Sequence, residues 1–198
     1  MKKILCYKNS KLGDYLITLP TIRLIKKNKD HKIYYLTVKS KFYKNLPQTL
    51  EKTKIVDEFI YFNNNLLDKL KLIFFLRKKK FDEFYYLQEK SNLFREFRDY
   101  FFFNLLKIKR INGFFLKQDD YLKNSETIQI AKRVNKNITN KDIDKLGNIE
   151  RLLDKPIYNK KYITISIGGF SQPAIWNLNN WSILIKLILN RFNYKIII

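Results

Sequence analysis

Cysteine occurs once in 198 residues, at Cys6. A lone cysteine excludes an intrachain disulfide and points to a reducing compartment. Set in the apolar run Ile4 to Tyr7, it reads as a small core residue. Histidine also occurs once. His31 follows Asp30 in a polar break, the setting of a solvated turn residue rather than of a metal ligand or general base. The N-terminus lacks the charged, apolar and small-residue order of a secretory signal, and no apolar run approaches the roughly 20 residues of a membrane span. Both absences direct the expectation to the cytoplasm. Acidic residues are scarce, 18 Asp and Glu against 40 Lys and Arg, and the formal net charge is +22. That excess points to anionic partners such as nucleic acid, phospholipid surfaces or phosphorylated sugars. Part of it is compositional drift, because Lys, Asn and Ile recur along the whole chain, loops included. No RNP-like, helix-turn-helix or zinc-ligand pattern accompanies the charge, which argues against a basic nucleic-acid-binding module as the alternative function. Internal repeats and low-complexity segments are lacking as well.

What is present is enough for one full domain and part of another, with 45% hydrophobic residues to build a core. The chain is organised around KNSKLGDYLITLPTIRLIKK, Lys8 to Lys27, which follows the strand Ile4 to Tyr7. The order is strand, polar loop, helix, with Gly13 and Asp14 at the helix N-terminus beside a cleft. Gly13 is expected to allow the turn, and Pro20 to kink or restart the helix, because its ring clashes with the carbonyl of Leu16 in an unbroken one. Further strands are expected at Lys32–Val38, Ile55–Phe62, Phe81–Leu87 and Lys109–Phe114, the last closed by Gly113. Between them come a short helix at Lys41–Gln48, a helix at Leu66–Lys80 with Leu66, Leu70, Ile73 and Phe74 on its core face, and an aromatic-rich helix at Ser91–Lys107. Leu93, Phe94, Phe97, Phe101 and Leu105 form the apolar side of that last helix. Such alternation implies an α/β fold, a parallel sheet with helices on both faces.

Lys123–Asn137 reads as a helix capped by Ser125. From Lys136 to Lys160 the pattern weakens into a linker with one or two short helices, and the domain boundary falls there, between a first domain of residues 1–155 and a second of 156–198. The second unit reads as strand Tyr162–Ile167, loop Gly168–Asn177, helix Asn179–Leu189 and strand Tyr194–Ile198. A βαβ unit cannot bury both faces of its sheet, so this domain is expected to be incomplete as given.

With these residues in view, the chain resembles the heptosyltransferase family, glycosyltransferase family 9, the inverting enzymes that transfer heptose from ADP-heptose to the lipopolysaccharide inner core. The resemblance rests on ILCYK, SKLGD and ITLPTIRLIKK, continues through IVDEFIYF, FDEFYYLQ and RING, and returns in ISIGGFSQPAIW with Trp181 beyond it. It implies a GT-B fold, two Rossmann-like domains across a cleft, acceptor on the N-terminal side and nucleotide sugar on the C-terminal side. It matches Asp14 to the family's catalytic base and Lys8 and Ser10 to polar positions of the same loop. It implies no metal and no cofactor beyond the nucleotide sugar, and an anionic glycolipid as acceptor.

The chemistry agrees with that assignment. Displacing a nucleoside diphosphate from an anomeric carbon with inversion needs a base on the opposite face to take the acceptor hydroxyl's proton. Asp14 supplies a carboxylate where the helix dipole favours negative charge; the competing reading is a plain N-cap. Stabilising the leaving phosphates falls to Gly168 and Gly169, whose backbone N–H groups can approach a phosphate, with the Ser171 hydroxyl beside them. Two departures stand out. The family's KxW pattern has Ala174 in place of its lysine, and neither the family's ribose-binding acid nor its D-x-T/S-G-x-x-H loop falls within these residues. The chain as given is therefore expected to be deficient in donor binding and turnover. The basic clusters Arg77–Lys80 and Lys107–Arg110, near aromatics, suit the cytoplasmic face of an inner membrane, although each also reads as a solvated charged face. A basic nucleic-acid-binding module and a non-catalytic membrane-surface protein remain the alternatives.

Overall fold

The computed structural model describes residues 1–9, 12–27, 30–39, 55–88, 92–115, 125–147, 162–165 and 176–197. The chain divides into two compact units, Met1–Leu152 and Leu153–Ile198. The expected helix at 41–48 lies outside the described residues, as do Ser10, Gly168, Gly169, Ser171 and Ala174.

The first unit is built on five strands: β1 (Lys2–Tyr7), β2 (His31–Val38), β3 (Glu58–Phe62), β4 (Glu83–Tyr86) and β5 (Arg110–Asn112). They form one sheet in the order β3-β2-β1-β4-β5, every pairing parallel. Its helices are α1 (Leu12–Ile25), α2 (Leu66–Lys79), α3 (Leu93–Asn104), α4 (Glu126–Lys132) and α5 (Asn140–Gly147). Side chains alternate across the central strand as the pleat requires. Leu5 and Tyr7 join a core with Leu72, Ile73 and Leu76 of α2 and Phe103 of α3. Ile4 and Cys6 join the opposite core with Tyr15, Leu19 and Ile22 of α1 and Ile130 of α4. Burying each such large side chain contributes roughly 1.5–3 kcal/mol, so the two-sided apolar strands are what commit the chain to a sheet covered on both faces.

Helix α1 is buried around most of its circumference, with Thr18 and Thr21 as inaccessible as Leu19 and Ile22. The Thr18 hydroxyl makes this tolerable by donating to the Tyr15 carbonyl at 2.7 Å. Pro20 does not restart the helix: α1 runs through it as one helix. A Cβ at Gly147 of α5 would sit 3.5 Å from the Pro20 ring, so packing from α5 as well as the sheet holds the segment helical. His31 is also placed differently from the turn expected. It opens β2, and its Nδ1 lies 2.8 Å from the Ile25 carbonyl that ends α1.

The outer helices correct the sequence reading more sharply. In α2 the buried residues are Leu72, Ile73 and Leu76, while Leu66, Leu70 and Phe74 face solvent. In α3 the buried residues are Glu96, Asp99 and Phe103, and the whole expected core stripe, Leu93, Phe94, Phe97, Phe101 and Leu105, is exposed. Helical spacing identifies which residues share a face, not which face the sheet will take. Here the inward carboxylates have partners. Glu96 accepts from the Phe115 N–H at 3.0 Å and pairs with Arg133 at 3.6 Å, and Asp99 accepts from the Tyr86 hydroxyl at 2.9 Å. Arg133 also donates to the Gly113 carbonyl.

Ser125 stands at the N-cap of α4, without a side-chain capping bond. That helix is shorter than the expected 123–137, and α5 follows inside the segment read as a linker. The second unit, described by itself, pairs β6 (Tyr162–Thr164) in parallel with β7 (Lys195–Ile197) through α6 (Leu178–Arg191). Asn177 caps α6 by accepting from the Asn179 N–H at 2.9 Å. Trp176 meets Trp181 edge to face, ring centres 5.0 Å apart.

Candidate active site

The strand order places a switch point in the sheet. From β1 the chain moves outward through β2 and β3, then returns to build β4 on the other side of β1. In open α/β sheets, the crevice beyond the carboxyl ends of the two strands flanking such a reversal is where ligands bind, because the connections there diverge to opposite faces. Here those strands are β1 and β4, joined at this edge by the Leu87 N–H donating to the Tyr7 carbonyl at 2.9 Å. The segments leaving them are Lys8 onward and Leu87 onward.

Asp14 follows at once, as the third residue of α1 and half-buried. It therefore lies in the first turn, three positions past the N-cap, where a negative charge meets the positive end of the helix dipole. Gly13 lies within the helix and does not have a positive φ, so the turn does not require glycine there. A Cβ at Gly13 would meet nothing within 4 Å. What the glycine provides is open space and an exposed backbone beside the carboxylate.

Lys8 is 2% exposed, and its ammonium rests 2.6 Å from Glu126 Oε1 at the start of α4. Glu126 is the first residue of α4 and is one-third exposed, 32%. Lys8 is thus held by a protein carboxylate within the wall of the crevice. Nothing in the local sequence pairs positions 118 apart, so Glu126 was not legible as part of this neighbourhood. Two more residues were missed. Tyr7, packed among Phe62, Tyr86 and Phe103, has its phenol pushed up to about 12 by burial and by the Asp99 charge. Gln88 is buried just past β4, and its amide faces the Tyr7 phenol, where a hydrogen bond from it partly offsets the rise that burial causes. A buried glutamine at a strand's carboxyl end is a signal only once the fold shows which end that is.

Residues expected on the donor side, Gly168, Gly169 and Ser171, lie outside the described residues, as does Ser10 on the acceptor side. Of the expected site residues, Lys8, Gly13 and Asp14 are therefore the ones the structure places, all at the carboxyl end of β1. A separate groove of about 420 Å³ runs along the edge strand β3 beside α2, lined by Phe59, Tyr61, Asp68, Lys71 and Phe75, and touches none of them. Among the described residues no three His, Cys, Asp or Glu side chains converge as a metal site.

The sheet order and the switch-point crevice define a Rossmann-like α/β protein. Solved structures make the likeness specific. The glycosyl transferase family 9 protein from Veillonella parvula DSM 2008 superposes with a TM-score of 0.64 at 14% identity, covering 98% of this chain and 62% of that one. E. coli heptosyltransferase WaaC with ADP gives 0.63 at 12% identity, over 98% of this chain and 66% of that one. E. coli ADP-heptose lps heptosyltransferase II gives 0.61 at 16% identity, over 99% and 63%. The fold of this chain is therefore the GT-B-type α/β fold of those enzymes, and the chain spans about 62–66% of the length of these three structures. No protein-family model and no curated protein sequence matches it.

Proposed function

We propose that this protein is an inverting glycosyltransferase of heptosyltransferase type, transferring heptose from ADP-heptose to a lipopolysaccharide inner-core or related glycolipid acceptor. The observation that carries the reading is Asp14 in the first turn of α1, beside the open position at Gly13, at the switch point of a fold shared with heptosyltransferases. In this mechanism the acceptor hydroxyl oxygen attacks the anomeric carbon and Asp14 takes its proton. The bond from that carbon to the phosphate oxygen breaks on the opposite face, and the nucleoside diphosphate leaves with the electron pair. Ser10 and Gly13 belong to the acceptor-side loop, and Lys8, paired with Glu126, supports that loop from within the wall. Gly168, Gly169 and Ser171 receive the leaving diphosphate through backbone N–H groups and a hydroxyl. The reaction as written uses no metal and no cofactor besides the sugar nucleotide.

The reading places the protein in the cytoplasm, working at the inner face of the membrane that carries its acceptor. No helix among the described residues is long and apolar enough to cross a membrane. The test is transfer from ADP-heptose to an inner-core acceptor, followed by ADP release, together with acceptor binding by calorimetry. Asp14→Asn is expected to lower transfer by about 10²- to 10⁴-fold, the usual worth of a positioned base, while acceptor binding and the thermal melt stay put. Unchanged turnover in the variant removes Asp14 from the mechanism. A wild-type chain that neither transfers heptose nor binds the acceptor refutes the assignment; binding without transfer marks it as an inactive fragment of such an enzyme.

A further inference from the structure

Helix α3 is packed with its carboxylates inward and its hydrophobes outward. Glu96 and Asp99 are buried, whereas Phe94 is 79% exposed and Phe101 71%. Every residue of α3 that faces solvent is apolar or cationic apart from Asn104: Leu93, Phe94, Phe97, Tyr100 and Phe101 with Arg95 and Arg98. Phe97 and Tyr100 extend the patch by packing on exposed Phe115, ring centres 4.7 and 5.2 Å away. Helix α2, in the same layer over the sheet, has the same character. Leu66, Leu67, Leu70, Phe74 and Phe75 are exposed among Lys71, Arg77 and Lys78. Its one acid, Asp68, is occupied at the helix start by the amides of Asn63 and Asn65 at 2.8 and 3.0 Å, which hold its carboxyl below the usual range.

We infer that the outer faces of α2 and α3 form a docking surface for an anionic lipid bilayer. Aromatic and leucine side chains interspersed with cations, with the acids withdrawn, is the composition of a helix that lies in a membrane interface: the rings enter the acyl boundary and the cations meet lipid phosphates. Charge decides between occupants. A second copy of a chain carrying +22 brings like charge to like, and an apolar protein partner leaves the cations unmet. The paired burial of Glu96 on Arg133 and of Asp99 on Tyr86 strips negative charge from this face; Arg98 also pairs with Asp99, at 2.7 Å, so Arg95 is the cation α3 leaves for a lipid phosphate. The inward acids and the outward rings are one device.

The surface also bears on the proposed reaction, and in that respect it rests on the glycosyltransferase reading. In a parallel sheet each helix that follows a strand begins at the carboxyl edge, so Leu66–Leu70 and Leu93–Phe97 start at the edge that carries Lys8 and Asp14. The basic clusters singled out from the sequence, Arg77–Lys80 and Lys107–Arg110, fall at the other ends of α2 and α3. A bilayer lying along these helices delivers a lipid-anchored sugar to the crevice from the side.

The experiment is co-sedimentation of the full chain with vesicles of equal phosphatidylglycerol and phosphatidylcholine, compared with pure phosphatidylcholine. The wild type is expected to bind the anionic vesicles and release them as salt rises. Phe97→Ser with Phe101→Ser is expected to weaken binding at least tenfold. Lys71→Gln, Lys78→Gln and Arg95→Gln are each expected to weaken it about fivefold at low salt. These side chains are exposed, and an unchanged melt verifies the fold. Wild-type failure to bind, binding untouched by the Phe pair, or a soluble dimer that the Phe pair dissolves in place of vesicle binding each overturns the proposal. Asp14→Asn separates the two readings: it must bind vesicles as the wild type does. The Phe pair must keep transfer to a lipid-free acceptor while losing it to a vesicle-borne one.

Discussion

Removing the carboxylate from Glu126 should strand a buried charge. Lys8 is 2% exposed and has its ammonium 2.6 Å from Glu126 Oε1. Breaking a fully buried pair on one side costs about 3–5 kcal/mol, because the remaining ion keeps its desolvation cost without its partner. Glu126 is 32% exposed, so water reaches the gap and the expected cost of Glu126→Gln falls to roughly 2–3 kcal/mol. For a unit of this size that is about 5–10 °C in Tm. Lys8→Met removes the ion that needs a partner and leaves a glutamate that can turn to water, at a cost of about 1 kcal/mol. The double variant should then be more stable than Glu126→Gln alone. Thermal and urea melts by circular dichroism, completed as a double-mutant cycle, measure the sign directly. Additive costs, or a Glu126→Gln shift below about 2 °C, would refute the argument that this ion pair is a linked unit in the crevice wall.

The two glycines of the first unit that flank the site should respond oppositely. Gly113→Ala places a Cβ 2.5 Å from the Tyr86 carbonyl oxygen at a φ of +91°, and a loss of at least about 2 kcal/mol is expected in the same melts. Gly13→Ala meets nothing within 4 Å and should stabilise α1 by about 0.5–1 kcal/mol, while lowering acceptor affinity if the open space there is used. Alkali should unfold the first unit through its buried phenols. Burial pushes Tyr7 up to about 12 and raises Tyr86 as well. Stability from such raised groups is complete below pH 10, where the unfolded chain also keeps its protons, and is lost as pH rises toward the folded values. For Tyr7 the slope is about 1.4 kcal/mol per pH unit. Tyrosinate absorbance rising in one step with unfolding is the expected record; smooth titration of all tyrosines in a folded protein would contradict it.

Much of the architecture was readable because its signals are local. Ile4–Tyr7, Ile33–Leu36 and Phe84–Leu87 are continuous apolar runs, and each is a strand, or a strand and its exit, buried on both faces. Asp14 stood out because a small residue and a carboxylate between strand and helix is itself a local pattern. The faces of α2 and α3 were misread because amphipathic spacing is symmetric: it separates two sides of a helix without saying which one meets the sheet. For α3 the deciding facts were Arg133 for Glu96 and the Tyr86 hydroxyl for Asp99, partners supplied by other elements, beside the Arg98 that Asp99 already has as its neighbour.

By itself, then, the amino-acid order determined that strands and helices alternate, that the strands are apolar enough to be covered on both faces, and that a carboxylate opens the first helix. Those are properties of neighbours within a turn or two of chain. Only the tertiary structure decided that β4 returns beside β1 to make the crevice, that Lys8 is buried on a glutamate 118 residues away, and that α3 turns its acids in and its aromatics out. Each of these depends on which distant group arrives to satisfy a buried charge or fill a face, and no local pattern contains that information.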